Sequence, residues 1–138
     1  MIWIKSPAQP QQDPPPLLEN FSLESYPNKI IFLNFWATWC VPCLYEIPTL
    51  TELQRKYPDD LQIIGISLDE DLNAIQHFLK KANLNYPILL YNPQEFKEYG
   101  PIAAVPTTLI FNKSQQLIHK IPGYKEKGFF EQILKDNL

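Results

Sequence analysis

Cysteine is scarce in this chain, and glycine, methionine, histidine and long apolar runs are scarce with it. Of 138 residues, two are cysteine, four glycine, one methionine and two histidine. Two cysteines, without a second C-x-x-C, do not furnish the donor set of a structural zinc site. His77 and His119 stand in no ligand spacing with each other or with the cysteines, so no metal and no cofactor is expected. No stretch approaches the roughly 18 apolar residues that a spanning helix needs. Met1 to Lys5 is too short for the apolar region of a secretion signal, so as written the chain carries no export signal. Trp3 and its isoleucine neighbours before Lys5 read either as the tail end of a removed anchor or as an ordinary chain start. Twelve basic residues against fifteen acidic ones leave a net charge of −3 with no basic cluster. Nucleic acid and anionic membrane are therefore not expected partners.

What is plentiful is apolar content, at 45% hydrophobic and 13% aromatic, enough for one core and too little chain for two. The chain reads as a single domain, expected to be monomeric. Proline is abundant as well, and five of the fourteen lie in Ser6 to Pro16 beside no large apolar side chain. That composition suits an extended tether, giving a division into residues 1–16 as tether and 17–138 as domain.

Leu17 to Leu23 reads as a short edge strand, and Lys29 to Phe35 as a central strand covered on both faces, because its apolar run is continuous. Leu44, Ile47, Leu50 and Leu53 recur at helical spacing, predicting a helix from Val41 to Tyr57 that Pro48 kinks. Leu61 to Leu68 reads as a strand, Leu72 to Ala82 as a helix, Tyr86 to Tyr91 as a strand, and Pro93 to Tyr99 as a short helix stopped by Gly100-Pro101. Thr107 to Phe111 and Gln116 to Ile121 form an expected antiparallel hairpin, followed by a helix from Lys125 to Leu138. The fold class is α/β, a mixed β-sheet flanked by helices.

The only two cysteines stand as Cys40-Val41-Pro42-Cys43, directly after the apolar run that ends at Trp36. Where a strand ends at a helix start, unpaired N–H groups and the helix dipole stabilise a thiolate. Cys40 is expected at that N-terminus, exposed and nucleophilic. Cys43 lies three residues on, on the same helical face and within disulfide reach, as the resolving thiol. An inert structural disulfide is the bland alternative, although closing so short a loop gains little chain entropy.

The run Asn34 to Cys43 (NFWATWCVPC), Pro48 eight residues after Cys40, and Val105-Pro106-Thr107-Thr108 together resemble the thioredoxin fold. More closely they are similar to its TlpA/ResA/DsbE branch of bacterial thiol-disulfide oxidoreductases. The resemblance runs from about Leu17 to the C-terminus. Glu70 to Glu98 is long enough for the central helix-strand insertion of that branch, Asn34 stands where thioredoxin carries a buried aspartate, and Glu46 occupies an acidic position that the branch keeps near its site. Asn34 cannot accept a proton, which leaves Glu46, three residues beyond Cys43, as the candidate base, its pKa raised by partial burial. A solvated helix carboxylate is the competing reading. Pro106 is implied by the resemblance to be a cis-proline beside the disulfide, where the Val105 backbone pairs with an extended substrate; the sequence itself suits either isomer. Trp39 is implied to shield the disulfide and contact partners, with Pro42 also at the substrate face, and Trp36 to lie in the core. Two departures stand out: Phe21 to Lys29 is too short for the family's early β-hairpin, and Pro101 to Ala104 lacks the usual glycine.

The implied activity is reduction of protein disulfides outside the cytoplasm, apocytochrome c among the expected substrates, with a membrane electron donor restoring the dithiol and a periplasmic or membrane-tethered location. A thiol peroxidase of the same fold is an alternative, weakened because Ala37 rather than threonine lies three residues before Cys40. A non-catalytic binding or copper-delivery module is another, with His119 its sole late candidate ligand. Val41-Pro42 lacks the histidine found between the cysteines of strongly oxidising relatives, which favours the reducing direction.

Overall fold

A computed structural model of the chain describes residues 16–138. Apart from Pro16, the expected tether and the Met1 to Lys5 stretch lie outside the described residues. Six strands run β1 (Leu17–Leu18), β2 (Ile30–Trp36), β3 (Leu61–Ser67), β4 (Ile88–Leu90), β5 (Thr107–Phe111) and β6 (Leu117–Pro122), with helices α1 (Val41–Lys56), α2 (Leu72–Lys81) and α3 (Lys127–Asp136). They form one mixed sheet of order β1-β4-β3-β2-β5-β6, a thioredoxin-like architecture. The first four pair in parallel, whereas β5 is antiparallel to β2 and to β6.

β2 is buried at all seven positions, the polar Asn34 included, as a strand with both faces covered requires. Parallel crossovers are right-handed, so β2-α1-β3 and β3-α2-β4 place both helices on one face. There Leu50 and Leu53 of α1, Ile75 and Leu79 of α2, and Phe130 and Leu134 of α3 pack on Ile30, Phe32 and Trp36. The other face carries Ile31, Leu33 and Phe35, covered by Phe21, Leu23, Tyr91, Phe96 and Tyr99 from irregular segments. Gly65, at the middle of β3, permits a close approach: a Cβ there would meet Ile88 Cδ1 at 2.7 Å and Trp36 Nε1 at 3.0 Å. Among the described residues no helix is long and apolar enough to cross a membrane.

Several boundaries differ from those read off the pattern. The first strand stops at Leu18, because Phe21 turns away from the sheet edge and its N–H donates to Glu95 Oε2 at 2.8 Å. A 3-10 turn at Leu23–Ser25 then stands in place of an early hairpin. The helix expected over Pro93 to Tyr99 is reduced to a 3-10 turn at Lys97–Tyr99, where Phe96 is drawn into the core and Gly100 ends the turn at φ 82°. α1 ends at Lys56 rather than Tyr57 and carries Pro48 within it on its exposed side. α3 starts at Lys127 rather than Lys125, whose N–H is engaged elsewhere.

Candidate active site

β2 ends at Trp36 and α1 begins at Val41, so a short turn delivers Cys40 to the helix N-terminus. Cys40 is the N-cap: its backbone is extended, and its Sγ accepts the Cys43 N–H at 3.3 Å. Pro42, exposed in the first turn, sacrifices no bond there, because the first helical N–H groups have no intrahelical acceptor. Cys40 and Cys43 are joined as a disulfide with Cα atoms 5.3 Å apart. Cys40 is only 6% exposed, against the expectation of an open sulfur, and Cys43 1%. Burial of Cys40 follows from its place against the β5 loop, where Sγ lies 3.7 Å from the Val105 carbonyl oxygen. In the disulfide that sulfur has no proton to give, so this is a contact.

The Val105–Pro106 peptide bond is cis, and Pro106 is buried immediately before β5. Its carbonyl accepts the Gly123 N–H at 2.7 Å, and Thr107 Oγ1 donates to the Ala104 carbonyl at 2.7 Å. Gly123 turns the chain after β6 at φ 85°, a conformation that favours glycine. Trp39 is 66% exposed and Tyr45 69%, with Val41 also open, so the rim of the disulfide is apolar on the α1 side.

Beneath this rim Glu46 is fully buried, which excludes a solvated helix carboxylate. It shares the inward face of α1 with Cys43, Leu50 and Leu53, whereas Leu44 and Ile47 of the expected stripe are only half-buried. Asn34 Nδ2 donates to Glu46 Oε1 at 3.1 Å and to Thr108 Oγ1 at 3.0 Å, and the Lys125 N–H donates to Glu46 Oε2 at 2.8 Å. Burial raises the Glu46 pKa from 4.5 to about 6, against the lowering effect of the Lys125 N–H, the Asn34 amide and the Lys125 charge. The Tyr86 hydroxyl is also pushed well above its ordinary value, first by burial and then by the nearby Glu46 carboxylate. Glu46 and Cys43 thus stand three residues apart on the buried face of α1.

The structure thus brings Cys40, Cys43, Val105 and Pro106 to one point, with Glu46 one turn further along α1 and Trp39 and Pro42 on the surface above. Thr108, Tyr86 and the Lys125 N–H were missed from the sequence. Thr108 lies in the noted Val-Pro-Thr-Thr stretch and faces Asn34 across paired strands; a backbone donor such as Lys125 leaves no signal in residue types. The Thr38 hydroxyl is engaged with Asp69 at 2.6 Å.

The family model described as Redoxin matches residues 7–137. Thiol-disulfide oxidoreductase ResA of Bacillus thuringiensis subsp. konkukian is 35% identical over 119 residues, 85% of this chain and 68% of that protein. The thioredoxin-like protein YneN of Bacillus subtilis is 33% identical over 119 residues, 84% of this chain and 69% of that protein. Among solved structures, a thiol:disulfide interchange protein of the thioredoxin family from Chlorobium tepidum TLS matches with TM-score 0.79 and 27% identity, over 93% of this chain and 99% of that one. A DsbF homologue from Corynebacterium diphtheriae matches with TM-score 0.75 and 28% identity, over 86% and 77%.

Proposed function

The chain belongs to the Redoxin family, in its TlpA/ResA/DsbE-like branch, and is a disulfide oxidoreductase with a C-x-x-C pair; we propose that it works as a reductant of protein disulfides outside the cytoplasm. Cys40 as thiolate attacks one sulfur of a substrate disulfide, forming a mixed disulfide and releasing the other substrate sulfur as thiolate. Cys43, losing its proton to Glu46, then attacks Cys40 Sγ, closing the Cys40–Cys43 bond and releasing the second substrate thiol. Two electrons pass to the substrate, and a membrane thiol donor returns them.

The observation that carries this reading is the position of Cys40, capping α1 and 3.7 Å from the Val105 carbonyl. An extended substrate segment pairing with the Val105 backbone would bring its disulfide to that sulfur, with Pro106, Pro42 and Trp39 as the walls. Glu46 supports the second step through its burial and its pKa of about 6. Apocytochrome c is the substrate we propose to test first, with the protein working as a monomer.

The test is a Cys43→Ser variant incubated with disulfide-bonded apocytochrome c. A mixed disulfide through Cys40 is expected, and no capture would overturn the substrate assignment. Equilibration with dithiothreitol and glutathione buffers checks direction: a potential near or below thioredoxin's, about −270 mV, is expected, and one near DsbA's, about −120 mV, would make the protein a disulfide donor instead.

A further inference from the structure

The turn that delivers Cys40 is held from a neighbouring strand. Only Ala37, Thr38 and Trp39 separate β2 from the first cysteine, and the Cys40 N–H donates to the Ala37 carbonyl at 3.2 Å. Thr38 and Trp39 are the centre of that turn. Trp39 projects into solvent, so burial of its ring does little to hold the backbone. Thr38 is instead gripped by the Asp69 carboxylate: its N–H donates to Oδ2 at 2.9 Å and its hydroxyl to Oδ1 at 2.6 Å.

Asp69 is itself fastened down. Ser67 Oγ donates to Asp69 Oδ2 at 2.8 Å and accepts the Asp69 N–H at 3.0 Å. Ser67 is fully buried and in register with Trp36, and the Leu68 N–H donates to the Trp36 carbonyl at 2.8 Å. A carboxylate anchored at the end of β3 therefore satisfies both polar donors of the residue two before Cys40. Hydrogen bonds to an ionised acceptor are shorter and stronger than neutral ones, so the Asp69 carboxylate holds the turn at its centre from a separate strand.

We propose that Asp69 is a positioning residue for thiol-disulfide exchange. By holding Thr38 it sets the Trp39–Cys40 backbone so that Cys40 stays at the cap of α1, its sulfur on the Cys43 N–H and the positive end of the helix. A looser turn lets the sulfur drift from those groups, and thiolate formation suffers. Asp69 also carries a negative charge, which acts in the opposite sense on a nearby thiolate. Substitution of the Thr38 side chain separates the two effects, because it removes the hydroxyl half of the grip, keeps the backbone N–H half, and leaves the charge in place. The inference rests on Cys40 being the attacking thiol, as proposed above.

The experiment is the pH profile of iodoacetamide alkylation of the reduced full chain, with peptide mapping of the modified cysteine, for wild type, Thr38→Val, Thr38→Ser, Asp69→Ala and Thr38→Val/Asp69→Ala. Valine keeps the branched shape without the hydroxyl; serine keeps the hydroxyl. Expected results are a higher midpoint and an alkylation rate at neutral pH lower by about three- to tenfold in Thr38→Val, and a rate within about twofold of wild type in Thr38→Ser. Thr38→Val should add nothing in the Asp69→Ala background. A Thr38→Val protein that melts lower but keeps the wild-type profile would reduce the contact to a fold-stabilising one and overturn the proposal. An undiminished valine effect in the Asp69→Ala background would overturn it too, and if Asp69→Ala does not fold, the two Thr38 variants decide. Mapping that finds Cys43 alkylated first in the wild type sinks the Cys40 assignment before any variant is read, and the proposal with it.

Discussion

The two faces of the sheet are built from the same strands and have opposite interiors. β2 alternates Ile31, Leu33 and Phe35 towards one side, where Phe96 and Tyr91 pack edge-on against Phe35 at ring distances of 5.5 and 5.9 Å. Towards the other it presents Ile30, Phe32, Asn34 and Trp36, beneath all three helices. Among the described residues only this helical face holds a buried carboxylate, and with it the disulfide, Asn34 and Thr108. A buried polar group costs several kcal/mol unless it is hydrogen-bonded; on this face Asn34 satisfies Glu46 and Thr108, whereas Trp36 Nε1 is buried without a partner among the described residues. The apolar face contributes cohesion, whereas the helical face gives up some cohesion to hold groups that titrate and exchange electrons.

That contrast breaks hardest at Cys40: Cys40→Ser should abolish disulfide reduction while the protein stays folded, as circular dichroism and an insulin-reduction assay would show. On the apolar face, Phe96→Ala should cost about 3–5 kcal/mol in urea denaturation and leave the alkylation profile of Cys40 unmoved. A redox effect there would mean that the faces are not separable.

Glu46 sharpens the comparison through pH. Its folded carboxyl titrates at about 6 against an ordinary 4.5, so between those values the native state holds a proton that the unfolded chain has released. Its contribution to stability is complete below pH 4.5 and is lost as pH rises to about 6, on the order of 2 kcal/mol. The difference in unfolding free energy between wild type and Glu46→Gln should follow that curve, and a flat difference would mean an unperturbed carboxyl. The same variant should slow the resolving step about tenfold or more in stopped-flow reduction. The smallest stability effect is expected at Trp39, where Trp39→Ala should change the unfolding free energy by less than about 0.5 kcal/mol. It should slow reduction of a protein disulfide and spare that of a small disulfide.

Much of this was legible because it is local. The strand–turn–helix around Cys40 is written in contiguous residues, from the apolar run of β2 to the proline that suits a helix start. The hairpin of β5 and β6 was equally readable, its turn closed by Asn112 Oδ1 accepting the Ser114 and Gln116 N–H groups. The misread segments answer to distant partners. Phe21 leaves the sheet edge for Glu95, 74 residues on, and no window around Leu17 to Leu23 contains that contact. On α1 the apolar pattern pointed to Leu44 and Ile47, but Glu46 is the more deeply buried, because Asn34 and a backbone N–H 79 residues away satisfy it.

The order of residues alone determined where the two thiols stand, that a helix follows a buried strand, and which family the motifs belong to, since short-range spacing carries all three. Tertiary structure alone decided that Cys40 is covered rather than open, that Glu46 is buried with a pKa near neutrality, and that Asp69 reaches Thr38. Each of those depends on groups from separate strands meeting in a low-dielectric interior, where the energy of a charge or a hydrogen bond is set by neighbours that the sequence does not place side by side.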